Sequence, residues 1–157
     1  MLFRSPAVGV GFTDVGTGRP GTDSREFGGA EFSEWGPDFL GRLGAHAGRV
    51  RGAIGCACGR CGAPAVVAFS GKKQFVDLYN AVRGPGEPRL AGARVPVGAP
   101  LPPGLLPRGW PLPPDTEVWV MTSTSGAAAM THEARVAPWR ALAERVARAP
   151  WPRGRAC

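Results

Sequence analysis

Residues 49–69, RVRGAIGCACGRCGAPAVVAF, set three cysteines, Cys56, Cys58 and Cys61, between two apolar flanks. Beyond the cysteines, Ala63 to Phe69 is a short β-branched run bounded by Gly62 and Ser70, which fits a buried strand better than a helix of ordinary length. Before them, RVRGAIGC reads as a strand leading into the turn. The pair therefore predicts a β-hairpin with the cysteines at its tip. On this reading the chain is α+β: a small, mostly antiparallel sheet with the cysteine-bearing hairpin, two or three helices and a long Pro/Gly-rich loop.

Working outward, Trp35, Phe39, Leu40 and Leu43 recur at helical spacing from Ser33, with Pro37 suited to a first turn and Gly44 to a stop. On the other side, Phe75, Leu78, Tyr79 and Val82 follow an i, i+3, i+4, i+7 pattern, with Ser70 available as a cap and Gly84 and Pro85 closing the helix. Residues 84–114 hold ten prolines and six glycines, too many for continuous regular structure. Leu101, Leu105, Leu106, Trp110 and Leu112 are interleaved among them; leaving all five exposed is costly, so the loop is expected to lie strapped across the core. TEVWVMT (116–122) reads as a strand, and SGAAAMTHEARV (125–136) as its antiparallel return after a turn at Ser125 and Gly126. APWRALAERVARAPW (137–151) is an amphipathic helix bounded by Pro138 and Pro150. The expected organisation is a flexible N-terminal segment (1–30), one α+β domain (31–150) and a basic C-terminal tail (151–157).

The chain has 157 residues, enough for one domain with its own core. Its composition is skewed: seventeen arginines against two lysines, with one Ile, one Asn and one Tyr, as in a very GC-rich genome. A net charge of +7 ordinarily suggests an anionic partner, but mutational pressure toward Arg produces some of the same excess. Up to residue 70 there are 7 basic and 6 acidic residues, and beyond it 12 and 6, so the positive field belongs to the C-terminal half. No apolar run reaches the roughly 20 residues of a membrane span, and MLFRSPAVGVGF (1–12) makes a poor secretory signal. The expectation is a soluble, intracellular protein with no membrane partner. In a reducing compartment, clustered cysteines serve as metal ligands or redox groups more often than as a disulfide framework.

Cys58-Gly59-Arg60-Cys61-Gly62 is the half-site chemistry of structural zinc (Zn2+): two thiolates converge while the glycines free backbone amides to face sulfur. Cys56 offers a third sulfur. A tetrahedral site needs a fourth ligand, and the candidates are His46, Cys157 and His132, the last brought near by sheet pairing on the expected return strand. Two other readings compete. A redox dithiol normally sits at a helix N-terminus that lowers a thiol pKa, whereas a strand is expected here; alternatively the thiols are ordinary buried or idle groups.

For catalysis the chain offers little. The two histidines are 86 positions apart, and there is no triad, H-E-x-x-H or deaminase signature around them. A non-enzymatic role follows as the expectation. On the C-terminal helix, Arg140, Arg145 and Arg148 can meet phosphate or an acidic partner, making a nucleic-acid-binding role the alternative. They equally fit a solvated face on which Glu144 and Arg148 form an i, i+4 pair, and the aromatic interleaving of single-strand binders is lacking.

In order along the chain, GCAC (Gly55–Cys58), VVAFSGKKQFVDLYNAVRG (Val66–Gly84) and EVWVMTSTS (Glu117–Ser125) resemble the adenoviral early-region-four thirty-four-kilodalton protein family. That family has a His-Cys-His-Cys element, an apolar stretch with a small-small-Gly turn and an amphipathic helix, then a strand beginning Glu-Val. Here Gly55 and Ala57 stand at the two histidine positions. The resemblance implies a viral early accessory adaptor, acting in the host nucleus or cytoplasm. Its partners would be a viral protein and the subunits of a host elongin-cullin ubiquitin ligase. Leu43 and Ala47 echo the box through which the family recruits that ligase.

Overall fold

A computed structural model of the chain describes residues 3–5, 9–17, 26–58, 60–124 and 129–149. Two short strands, β1 (Phe3–Ser5) and β2 (Val10–Phe12), pair antiparallel, and the helix α1 (Gly29–Ala53) follows. Then come the strand β3 (Val66–Phe69), the helix α2 (Lys72–Val82), single 3-10 turns at Gly92–Arg94 and Pro103–Leu105, the strand β4 (Glu117–Val120) and the helix α3 (His132–Ala147). The protein is α+β, as expected, with a different sheet. β3 and β4 are parallel, Val66 opposite Glu117 and Phe69 opposite Val120. The tail 151–157 and the turn at Ser125 and Gly126 lie outside the described residues.

The hairpin is not formed, because residues 49–53 are the last turns of α1 rather than a strand. The sequence reading stopped that helix at Gly44 on glycine's poor propensity, about 1 kcal/mol per residue against alanine. In the fold α1 passes through Gly36, Gly41, Gly44, Gly48 and Gly52, and through Pro37. Packing outweighs propensity: Phe32, Trp35, Phe39 and Leu40 are buried in the first half of the helix, each stabilising by about 1.5–3 kcal/mol, and beyond Gly44 the cysteine loop rests on the helix, Gly62 lying against Ala47 and Arg51. Two of the glycines lie at close packing contacts, tightest at Gly36. A Cβ on Gly36 would lie 2.8 Å from Cγ1 of Val82 on α2, and one on Gly44 would lie 3.2 Å from Cβ of Pro111. At the start of α1, the Glu31 carboxylate accepts from the Gly28 N–H at 2.9 Å, a favourable placement of negative charge.

With a helix before the cysteines, β3 has no antiparallel neighbour at hand, and its partner must come from far along the chain. A parallel pair needs a connection of a dozen residues or more; α2 and the Pro/Gly-rich loop supply it. On its other edge β4 is met by that loop, where the Leu101 N–H donates to the Val118 carbonyl (2.7 Å) and the Gly98 N–H to the Val120 carbonyl (2.9 Å). The loop crosses the core as expected: Leu90, Val95, Leu101 and Leu112 are buried, and Leu105, Leu106 and Trp110 pack against the core. Asn80 anchors it, its side-chain amide bonding the backbone N–H and carbonyl of Leu90.

Phe69, the last residue of β3, is the centre of the core. Its ring meets Phe75 of α2 at 5.2 Å, Phe39 of α1 at 6.1 Å and Trp110 of the loop at 6.3 Å. Phe75 and Leu78, predicted to face inward from α2, are fully buried. The described part of the N-terminal segment is docked: Val15 is buried, and the Arg42 guanidinium bonds Thr13 Oγ1 and the carbonyls of Asp14 and Val15. Among the described residues, no helix is long and apolar enough to cross a membrane.

Residues 131–136, expected as a return strand, instead open α3. Thr131 caps it, its hydroxyl accepting from the Ala134 N–H at 3.2 Å, and a capped helix start is favoured over extending a strand that β3 and the loop already flank. The helix thus begins before Pro138, which falls within it.

Candidate metal centre

At the end of α1, Ile54 closes the helix and Gly55, at φ +66, turns the chain back. The Cys56 N–H then donates to the Arg51 carbonyl at 3.2 Å, so the cysteine loop starts tied to the last helical turn. It is seated a second time by Gly62. At this φ of +90, a Cβ would lie 2.6 Å from the Arg51 backbone nitrogen and 2.7 Å from the Ala47 carbonyl oxygen. Only glycine allows the loop to lie on the helix at this distance.

Between these anchors the three thiols converge. The sulfurs of Cys56 and Cys58 are 3.2 Å apart, and the Sγ atoms of Cys56, Cys58 and Cys61 all lie within 4.8 Å of one another. None is in a disulfide. The loop's backbone supports the sulfurs: the Cys58 N–H points at Cys56 Sγ (3.4 Å) and the Cys61 N–H at Cys58 Sγ (3.3 Å). A tetrahedral metal with sulfur bonds of about 2.3 Å holds its thiolates about 3.8 Å apart, so the three sulfurs fit three corners with shifts of under about 1 Å. Amide groups aimed at sulfur are the outer support such thiolates need. Cys58 is exposed, while Cys56 and Cys61 are half-buried.

The other sequence-predicted ligands are placed differently. His132 is exposed at the first position of α3 and does not join the sulfur group. His46 lies on α1, one residue before Ala47, against which Gly62 is seated. Cys157 is outside the described residues. Of the residues suggested by the adaptor resemblance, Leu43 packs against the core and Ala47 lies beneath Gly62.

The arginines of α3 are largely engaged within the molecule. Arg145 makes a two-pronged ion pair with Glu117 of β4, its Nη2 at 2.6 Å and its Nε at 2.9 Å from Oε1. Those bonds hold the Glu117 carboxyl below its ordinary value of 4.5 against a smaller opposing effect of burial; Trp119 Nε1, at 3.0 Å, adds to the lowering. The same bond raises Arg145. Arg140 pairs with Glu133 at 2.9 Å in an exposed position, and Arg148 closes the helix, also exposed. Elsewhere an open polar groove of about 550 Å³ runs between the start of α1 and the end of α2, lined by Ser33, Asp77, Asn80, Arg83 and Arg89 among others. Its Asp77 is held by Lys73 at 2.5 Å.

Comparison with protein-family models, with curated proteins and with solved structures finds no match to this chain. The sequence pointed to the three cysteines through their spacing. It placed Gly62 in the zinc turn but did not show that Gly62 seats the turn on α1, nor the length of α1, whose signal was hidden by Gly44 read as a stop. Nor did it identify the Glu117–Arg145 pair, since the two residues lie 28 positions apart.

Proposed function

We propose that this chain is a small, non-enzymatic adaptor in which a zinc ion bound by Cys56, Cys58 and Cys61 fixes the surface that partner proteins recognise. The observation that carries this reading is the convergence of three sulfurs within 4.8 Å on one short loop between α1 and β3. Soft thiolates favour zinc over the hard cations. A structural zinc joins elements that a Gly- and Pro-rich chain otherwise holds loosely. The loop's neighbourhood suits recognition: Ala53, Ile54, Gly55 and Ala57 are exposed beside the clip. The alternative of a nucleic-acid face on α3 draws less support, because Arg145 and Arg140 are paired with Glu117 and Glu133.

The test combines metal analysis with affinity capture. Purified without added metal, the full chain is expected to carry about one zinc, and the C58S variant none. Tagged wild-type protein is expected to retain partners from host cells that C58S does not. Under the adenoviral resemblance these include elongin-cullin ligase subunits. Zinc-free wild-type protein that is nonetheless folded, or identical partners on wild type and C58S, overturns the proposal.

A further inference from the structure

Resting on the zinc reading, we propose that His46 is the fourth ligand, making the site Cys3His and clamping the cysteine loop to the side of α1 rather than to α3 or the tail. Position along the fold separates the two histidines. The start of β4 lies at the cysteine end: the Glu117 N–H donates to the Ala65 carbonyl (2.9 Å) and Thr116 Oγ1 to the Pro64 carbonyl (3.0 Å), four and three residues beyond Cys61. α3 runs antiparallel to β4, since Arg145 meets Glu117 while Trp139 Nε1 and the Arg135 carbonyl meet Thr122. His132, thirteen residues before Arg145, therefore projects from the opposite end, about 20 Å away along a helix rising 1.5 Å per residue.

His46 is at the right end. Over the last turns of α1, His46, Ala47, Val50 and Arg51 are half-buried while Ala45 and Arg49 are exposed, so one face is covered. The cysteine loop is part of that cover: Gly62 rests on Ala47 and Arg51, and Cys56 is bonded to Arg51. His46 sits along the edge of the covered face. Its ring nitrogens do not join the 4.8 Å group of sulfurs, so metal binding draws the ring toward a loop that already rests on the neighbouring Ala47 and Arg51. A neutral imidazole completing three thiolates is a standard structural zinc set.

The experiment measures zinc affinity of the full-length chain by competition with a chromophoric chelator, and cobalt(II) absorption as a report of ligand type. H46A is expected to bind zinc at least about tenfold more weakly, scaled from what support residues alone contribute, and to lose intensity in the tetrahedral cobalt bands. H46C should restore both, with the sulfur-to-cobalt band strengthened, while H132A and C157S behave as wild type. Circular dichroism with zinc present checks that each variant is folded. Unchanged affinity and spectrum in H46A, or the loss appearing in C157S or H132A instead, overturns the assignment while leaving the zinc reading intact. A wild-type chain that binds no zinc while C58S behaves identically overturns both.

Discussion

Gly62 shows how much one residue decides. Its Cβ position is blocked by backbone atoms of Arg51 and Ala47, which cannot move aside as a flexible side chain can, and its φ is +90. Gly62→Ala is expected to lower stability by about 2 kcal/mol and to weaken zinc binding together with it. A urea unfolding series and the chelator competition read the two effects. Gly55 is the control: it also has positive φ, +66, but a Cβ there meets nothing within 4 Å. Gly55→Ala should cost only the backbone strain, about 1 kcal/mol, and leave metal affinity near wild type. Gly36 is a third case. Alanine there gains about 1 kcal/mol of helix propensity but meets Val82 at 2.8 Å, so a net loss of stability is expected, and relief on combination with Val82→Ala would identify the clash as its cause. The sequence placed Gly36 inside a predicted helix and Gly55 and Gly62 in the cysteine turn, but not what separates their substitutions, which is the atom facing the missing side chain.

Among the described α-helices, α3 alone buries no side chain. It is seated by Pro138 packed against Gly98 and by polar contacts: the Glu117–Arg145 pair, Trp139 Nε1 on the Thr122 carbonyl (3.2 Å) and Thr122 Oγ1 on the Arg135 carbonyl (2.7 Å). The ion pair is about one-third exposed on each side, so it contributes about 0.5–1 kcal/mol, less in high salt. Glu117→Gln should raise amide exchange throughout α3 while α2 keeps its protection. Acid should act in the same direction. The Glu117 carboxyl is lowered from 4.5 in the fold, so its contribution is full at neutral pH. The contribution begins to fall as pH drops into the ordinary carboxylate range, where the unfolded chain takes up the proton first, and is gone once the folded carboxyl is also protonated. Exchange measured from pH 7 downward checks this; α3 protection that stays constant relative to α2 would contradict it. The existence of the helix was legible in the periodicity of residues 137–151, but its start at His132 was not. Thr131 became a cap only because β4 had no free edge left to pair with residues 131–136.

For the whole molecule, zinc is expected to act as a lock between α1 and β3. Ligand that binds only the folded chain stabilises it by about 4 kcal/mol at a thousandfold excess over Kd. Adding a strong chelator should therefore lower the midpoint of thermal unfolding by several degrees, with C58S already at the lower value and insensitive to chelator. The apolar periods of α2, the β-branched runs of β3 and β4, the strapped loop and the clustered thiols could all be read from the chain, because each depends on neighbours within a few residues. The path of α1 through five internal glycines, the parallel pairing of β3 with β4 some 50 positions away, and the distance of His132 from the cysteines could not. Those were decided by burial of Phe32, Trp35, Phe39 and Leu40, by the seating of the cysteine loop on Ala47 and Arg51 and by which strand edges remained open. Such contacts between distant segments exist only once the chain has closed around Phe69, and they outweigh the local preferences a sequence displays.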